Sequence, residues 1–148
     1  MRKLTIGVTT ALLAIGLVAC GSDSSDTSST STSKAAAGSS TEKLSGKVND
    51  KGSKSIVGQD ELELEADDFY FEPTYVTVSP GQKVKVEIEN EGDATHTFTS
   101  TELGVDDQLS PGAKKTVTVT APTTAGLAEF HCTFHSGMGM RGAFVVEG

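Results

Sequence analysis

The residues of this 148-residue chain best suited to metal chemistry lie close together near its C-terminal end. One short segment carries a thiol, an imidazole and two thioethers, from Cys132, His135, Met138 and Met140. Another imidazole, that of His96, lies upstream. Two histidines, one cysteine and one weakly bound methionine are the ligand set of blue-copper electron-transfer sites. The pattern therefore predicts a metal site containing His96, Cys132, His135 and one of the two methionines.

Strand periodicity indicates which of these side chains can reach a common site. Successive residues of a strand face opposite sides, so Cys132 shares a face with Phe130, which we expect in the core. His131 then faces away, and we expect it not to be a ligand. His96 shares a face with Phe98 by the same rule, which turns its ring inward.

Zinc binding, a disulfide and a non-metal role are the alternatives to copper for these residues. Zinc accepts thiolate and imidazole, but a thioether adds nothing for it, and Cu²⁺ binds such donors more tightly. A disulfide would need Cys20, the only other cysteine. A non-metal adhesive module would leave the loop without a role. Copper enzymes need further histidines, whereas this chain has three, and a binuclear copper centre needs two cysteines in the loop. We therefore predict that the protein is not an enzyme.

Short alternating segments separated by turns must position the site. Leu62 and Leu64 alternate with glutamates, and turn sequences such as Ser79-Pro80-Gly81 separate the segments. Seven or eight strands without a helical period predict an all-β fold, an antiparallel sandwich or barrel. The segments that carry this prediction are 61–65, 75–78, 83–89, 95–99, 115–120, 127–132 and 143–147.

The N-terminal part has the composition of an export signal followed by a tether. After Arg2 and Lys3, an uncharged run reaches Ala19; it is too short to span a bilayer but fits a secretory signal. Its end at Cys20 resembles a bacterial lipoprotein signal, which implies a signal peptide over residues 1–19 and lipid on Cys20. An ordinary signal peptide that contains a cysteine is the alternative.

The segment that follows the signal is rich in Ser, Thr, Gly and Lys, so we predict a disordered tether over residues 20–58 and a folded domain over residues 59–148. A first strand that begins within residues 54–59 is the alternative for this boundary. The lipid would anchor the exported protein to the outer face of the cytoplasmic membrane, or to an outer membrane if the host has one.

Charge excludes one class of partner and suggests another. The formal net charge is −8, and residues 60–148 carry 16 acidic and 5 basic side chains. An acidic domain repels the phosphate groups of nucleic acids, so we expect no nucleic-acid binding. We instead expect a monomer that meets a redox partner with a basic docking surface. The uncharged residues Phe134, His135 and Met138 would form the electron-transfer surface.

The folded part as a whole resembles a cupredoxin of the plastocyanin and amicyanin kind. The spacing Cys132-x2-His135-x4-Met140 is similar to plastocyanin, while His-Cys-Thr-x-His and Met-Arg-Gly are similar to amicyanin. Residues 68–73 and 109–112 also resemble small bacterial copper domains. The resemblance implies a Greek-key β-barrel of eight strands with one type 1 copper ion. It also implies that Met140, which directly precedes Arg141-Gly142, is the axial ligand.

Two positions depart from the family pattern. Thr97 follows the first ligand histidine, where cupredoxins usually have an asparagine that braces the two ligand loops through a hydrogen bond. Phe134 stands where proline is common. The resemblance implies a one-electron carrier, and a copper-binding, storage or delivery protein at the cell surface is the alternative function.

Overall fold

The computed structural model describes residues 42–148, which form ten strands and one turn of 3₁₀ helix at Ser136–Met138. The expected signal peptide, Cys20 and the first part of the tether lie outside the described residues. In the described part, no helix is long and apolar enough to cross a membrane. The strands are β1 Ser53–Ser55, β2 Glu61–Asp67, β3 Tyr70–Glu72, β4 Tyr75–Val78, β5 Lys83–Asn90, β6 His96–Ser100, β7 Val105–Leu109, β8 Lys114–Thr120, β9 Gly126–His131 and β10 Arg141–Val146.

Strand β2 illustrates how the alternating segments form the faces of the core. Leu62, Leu64 and Ala66 are at most 1% exposed, whereas the glutamates between them lie in solvent. Strand β5 lies parallel to β2 and buries its valines and isoleucine on the same side. An alternation of this kind leaves one face of a sheet packed and the other hydrated.

The strands form two sheets, so the all-β sandwich expected from the sequence is confirmed. One sheet has six strands in the order β1-β4-β10-β9-β6-β7, and the other has four in the order β3-β2-β5-β8. The pairing is mixed: β2 pairs with β5, and β4 with both β1 and β10, in parallel. These parallel pairs differ from the antiparallel sandwich or barrel inferred from the sequence, because the chain crosses between the sheets before these strands pair.

Strands β3 and β7, of three and five residues, coincide with no segment inferred from the sequence. Strand β1, of three residues, overlaps residues 54–59, the alternative start of the first strand, at two positions only. β1 and β7 lie at the edges of the larger sheet and β3 at an edge of the smaller one. Short edge strands need little apolar alternation, which explains why the count of seven or eight was low.

The boundary of the folded domain lies earlier than residue 59. Ile56 is fully buried, and Ser53–Ser55 forms β1 alongside β4. Before β1, the backbone N–H of Lys51 donates to the hydroxyl of Thr74 (2.7 Å). Residues 42–58 therefore belong to the domain and not to a disordered tether. Composition did not reveal this, because backbone hydrogen bonds hold most of the segment.

Aromatic packing leads from the core to the end of the molecule that carries the predicted ligands. The ring of Phe130 contacts those of Phe71 and Phe98 at centroid distances of 5.1 Å, and that of Phe144 at 5.9 Å. All four rings are fully buried. With Phe130 held inward, the strand alternation directs Cys132 inward two residues later.

We expect the Ile56→Ala variant to show that the domain begins before residue 59. Removing this fully buried side chain should lower the free energy of unfolding by about 2–5 kcal/mol. The neighbouring Val57, 42% exposed, provides the control, and Val57→Ala should change stability by less than about 0.5 kcal/mol. Urea denaturation of both variants measures the difference. Equal, small losses would show that Ile56 lies outside the core.

Candidate metal centre

The structure brings His96, Cys132 and His135 together at one end of the sandwich. β6 begins at His96, and β9 ends one residue before Cys132. The Cys132 Sγ lies 3.4 Å from Nδ1 of His135 and 3.9 Å from Nδ1 of His96, and the two Nδ1 atoms are 3.1 Å apart. One ligand atom from each residue lies within 4.8 Å of the others.

The chemistry of this donor set fits a copper ion. His96 and Cys132 are fully buried, and His135 is partly exposed. A proton can bridge only one pair of these three atoms, whereas a single cation can accept a lone pair from each. Thiolate and imidazole together select soft or borderline transition metals. Cys132 is a free, buried thiol, which such a metal would also protect from oxidation.

The two methionines occupy different environments. Met140 is fully buried, its backbone N–H donates to the carbonyl of His135 (3.2 Å), and its carbonyl accepts from the N–H of Cys132 (3.1 Å). Met138 ends the 3₁₀ turn and is 40% exposed. Burial beside both loop ligands favours Met140 as the fourth donor, and this assignment stays a prediction.

Thr97 braces the two segments that carry the candidate ligands, although it replaces the usual asparagine. Its hydroxyl accepts a hydrogen bond from the N–H of Thr133 (2.9 Å), next to Cys132. Its own N–H donates to Sγ of Cys132 (3.4 Å). The hydroxyls of Thr97 and Thr99 are hydrogen-bonded to each other (3.0 Å), and that of Thr99 also donates to the Asp106 carboxylate (2.9 Å). Thr97 therefore connects the His96 and Cys132 segments by hydrogen bonds, as the usual asparagine would.

The turn between β2 and β3 touches both imidazoles, which the sequence did not indicate. Oδ1 of Asp68 lies 3.0 Å from Nε2 of His96, and the ring of Phe69 packs on that of His135 with centroids 4.4 Å apart. In the sequence, residues 68–73 show only a similarity to copper domains. The contact between Asp68 and His96 joins residues 28 positions apart, so periodicity could not reveal it.

Asn49 also supports the loops around the candidate metal site, which the sequence did not indicate. It lies in the segment expected to be disordered. Its side-chain amide donates to the carbonyls of Phe69 (2.8 Å) and Met138 (3.0 Å), and its N–H donates to the carbonyl of Gly139 (2.9 Å). Gly139 has φ +100°, and a Cβ there would lie 3.0 Å from the amide oxygen of Asn49. Nothing in the polar composition of this segment marks Asn49.

Two neighbouring acids near the site have different partners. Burial lowers the pKa of His96, and the hydrogen bond with Asp68 opposes that effect. Asp67 accepts a hydrogen bond from the hydroxyl of Tyr70 (2.7 Å), which lowers the pKa of Asp67 and raises that of Tyr70 to about 12. Asp67 is therefore engaged by Tyr70, while Asp68 is directed at His96.

The remaining predicted residues lie at the surface near this end. Phe134 is 57% exposed. His131 lines an open groove of about 630 Å³ with Glu129 and Arg141, which form an ion pair. The group of potential ligands found among residues 42–148 does not include His131, and its exclusion as a ligand stays a prediction.

Comparisons with known proteins agree with this architecture. Residues 31–146 match the model of the cupredoxin-like domain family. No curated protein matches the chain. A chain from the cryo-EM structure of a heme-copper terminal oxidase dimer superposes with a TM-score of 0.52 and 19% identity.

The similarity to the oxidase chain concerns the fold alone. The superposition covers 61% of this chain and 66% of that one, so this chain spans about two thirds of its length. The family match covers most of the sequence and includes all four predicted ligands. We therefore conclude that this chain belongs to the cupredoxin-like family.

Proposed function

We propose that this protein holds one type 1 copper ion through His96, Cys132, His135 and Met140 and acts as a one-electron carrier, not as an enzyme. The observation that carries the proposal is the buried thiol of Cys132, with Nδ1 atoms of two histidines at 3.4 and 3.9 Å. Copper at such a site supplies a one-electron couple whose potential depends on the axial ligand and on the surroundings of the sulfur.

The protein's own residues support this role by limiting movement of the ligands. Thr97 donates to Sγ of Cys132 and bonds to the following residue, Thr133. Asn49 holds the loop at Met138 and Gly139 from outside. A ligand set attached to the sandwich at several points changes little when its charge changes, which favours rapid electron transfer.

We infer that electrons leave through His135, the one partly exposed histidine of the cluster. The exposed side chains of Phe134 and Met138 lie in the same loop, and residues 132–140 include no Asp, Glu, Lys or Arg. A partner can therefore approach this loop without the cost of desolvating an ion. The fold similarity to a chain of a heme-copper terminal oxidase is compatible with a redox partner at a membrane.

An acidic surface on the four-stranded sheet supports a partner with a basic docking surface. Glu63 lies opposite Glu87, and Glu65 lies between Glu89 and Glu72. We call these five glutamates the acidic strip. Partial burial and the neighbouring acids Glu91, Glu72 and Glu89 raise the pKa of Glu65. Lys114 pairs with Glu89 (2.5 Å). The other like charges placed opposite one another cost stability, and a basic partner would relieve that cost.

We further propose that lipid on Cys20 attaches the monomer to the outer face of a membrane. The support is the sequence alone, with its short uncharged run that ends at Ala19-Cys20. Anchoring would confine the carrier to the surface on which membrane-bound redox partners lie.

The full-length protein loaded with Cu(II) should be intensely blue, because thiolate-to-copper charge transfer absorbs visible light. Cys132→Ser should abolish the colour. His131→Ala is the control and should keep it, since His131 lines a groove outside the cluster. Visible absorption measures all three proteins, and a colourless wild-type complex would refute the copper assignment. Rapid release of copper to a chelator would favour delivery over electron transfer.

Exchange of each methionine tests the axial position. Met140→Leu should raise the reduction potential and alter the spectrum, because it removes a soft electron donor from a fully buried position. Met138→Leu is the matched control and should change neither, since Met138 is 40% exposed. Spectroelectrochemical titration gives both quantities. The opposite result would show that Met138 is the ligand.

Ionic strength tests the contribution of the acidic strip. The electron-transfer rate to a cationic acceptor should fall, and that to an anionic acceptor should rise, as the Debye length shrinks from about 10 Å at 0.1 M salt to about 3 Å at 1 M. Replacing Glu63, Glu65 and Glu87 with Gln should weaken the effect.

The matched control replaces three acids outside the strip, Glu42, Glu102 and Glu147, with Gln. Stopped-flow measurements would compare both triple variants with the wild type. Identical salt dependence for both acceptors would show that the negative charge serves solubility and not docking.

A further inference from the structure

The two ring nitrogens of His96 face different parts of the structure. Nδ1 faces the cluster, 3.1 Å from Nδ1 of His135 and 3.9 Å from Sγ of Cys132. Nε2 faces Oδ1 of Asp68 at 3.0 Å. The ring is fully buried, whereas the side chain of Asp68 is 31% exposed. His96 is therefore held between the candidate metal position and a carboxylate at the surface.

The Asp68 carboxylate is itself held in place. It accepts hydrogen bonds from the backbone N–H groups of Asp93 and Ala94, both at 3.3 Å. These residues belong to the turn that leads into β6 and His96. The carboxylate thus connects the β2–β3 turn to the segment that carries the first ligand, and its position does not depend on His96 alone.

The backbone leaves room for this contact at Gly92. A Cβ at that position would lie 2.6 Å from Oδ1 of Asp68 and 2.9 Å from Nε2 of His96. Any larger residue would force the carboxylate and the ring apart. The N–H of Gly92 donates to the side chain of Asn90 (3.0 Å), which keeps the turn close to the pair.

We propose that Asp68 is a positioning residue of the metal centre, which accepts a hydrogen bond from Nε2–H of His96 and so presents Nδ1 of that ring to copper. An ionised carboxylate can only accept, which assigns the proton to Nε2 and leaves the Nδ1 lone pair free. A carboxylate behind a ligand imidazole fixes its tautomer and orientation and makes it a stronger donor. Its negative charge also favours the more positive, oxidised metal, so Asp68 lowers the reduction potential.

Asp68→Asn is the decisive variant, because its amide oxygen can still accept from Nε2–H while the charge is lost. The full-length variant should remain blue, and its affinity for Cu(II) relative to Cu(I) should fall about tenfold, which raises the potential by about 59 mV. Asp68→Ala, which also removes the acceptor, should lower Cu(II) affinity by about 10–100-fold. Potentials come from spectroelectrochemistry and affinities from chelator competition.

Asp67→Asn is the matched control, since it removes the same charge one residue away. The Asp67 carboxylate accepts from the hydroxyl of Tyr70 and from the backbone N–H of Asp68, a donor with which the amide oxygen of Asn can still pair, and it makes no hydrogen bond to His96. Its potential should change much less than that of Asp68→Asn. Equal shifts in the two variants would overturn the positioning role and leave only a general effect of surface charge.

A measurement on the wild-type protein without metal keeps the proposal testable even if the Asp68 variants do not fold. Nitrogen-15 NMR of the histidine rings should show the His96 proton on Nε2, and a proton on Nδ1 would overturn the proposal. The proposal rests on the proposed copper function, and a colourless wild-type copper complex would overturn that function. A blue wild type with equal Asp67 and Asp68 variants would overturn only the role of Asp68.

Discussion

Strand β6 runs antiparallel to β9, with Thr99 opposite His131, and the rest of the candidate site depends on this pairing. Because the strands run in opposite directions, the first residues of β6 lie next to the last residues of β9, at the same end of the sandwich. His96 at the start of β6 therefore meets Cys132, which follows β9 and lies 36 positions away. Without this register, His96 would not meet Cys132 and His135, which the loop itself brings together.

Three residues that are not candidate ligands support the site. Thr97 directly follows His96, whereas Asp68 and Asn49 lie in segments that carry no candidate ligand. Thr97 bonds to the residue after Cys132, Asp68 to the outer nitrogen of His96, and Asn49 to the loop at Met138 and Gly139. Each contact fixes a different side of the cluster. Rigidity here arises from hydrogen bonds that converge on short loops, on top of an aromatic core centred on Phe130.

Charge and apolar surface are separated on this domain. The acidic strip lies on the solvated face of the four-stranded sheet, while the loop from Cys132 to Met140 includes no Asp, Glu, Lys or Arg. For the proposed basic partner, a long-range field would favour approach, and close contact at an uncharged loop would need little desolvation. The two surfaces therefore suit successive stages of a short-lived encounter.

Local patterns in the sequence determined the elements of the fold and the composition of the donor set. Alternation along the strands assigned Leu62, Leu64, Phe130 and Cys132 to the inner faces of the sheets, and all four are buried. This works because successive side chains of a strand point to opposite faces. The strands with regular apolar alternation, such as β4 and β5, were predicted for the same reason.

Tertiary structure alone decided what lies around the donor set and where the domain begins. Asn49 and Asp68 are polar residues in segments without periodicity, and their contacts arise only when distant turns come together. The short strand β1 and the parallel pairing of β2 with β5 likewise depend on how the chain crosses between sheets. Hydrogen bonds between residues far apart in sequence leave no pattern in either segment, so only the folded chain reveals them.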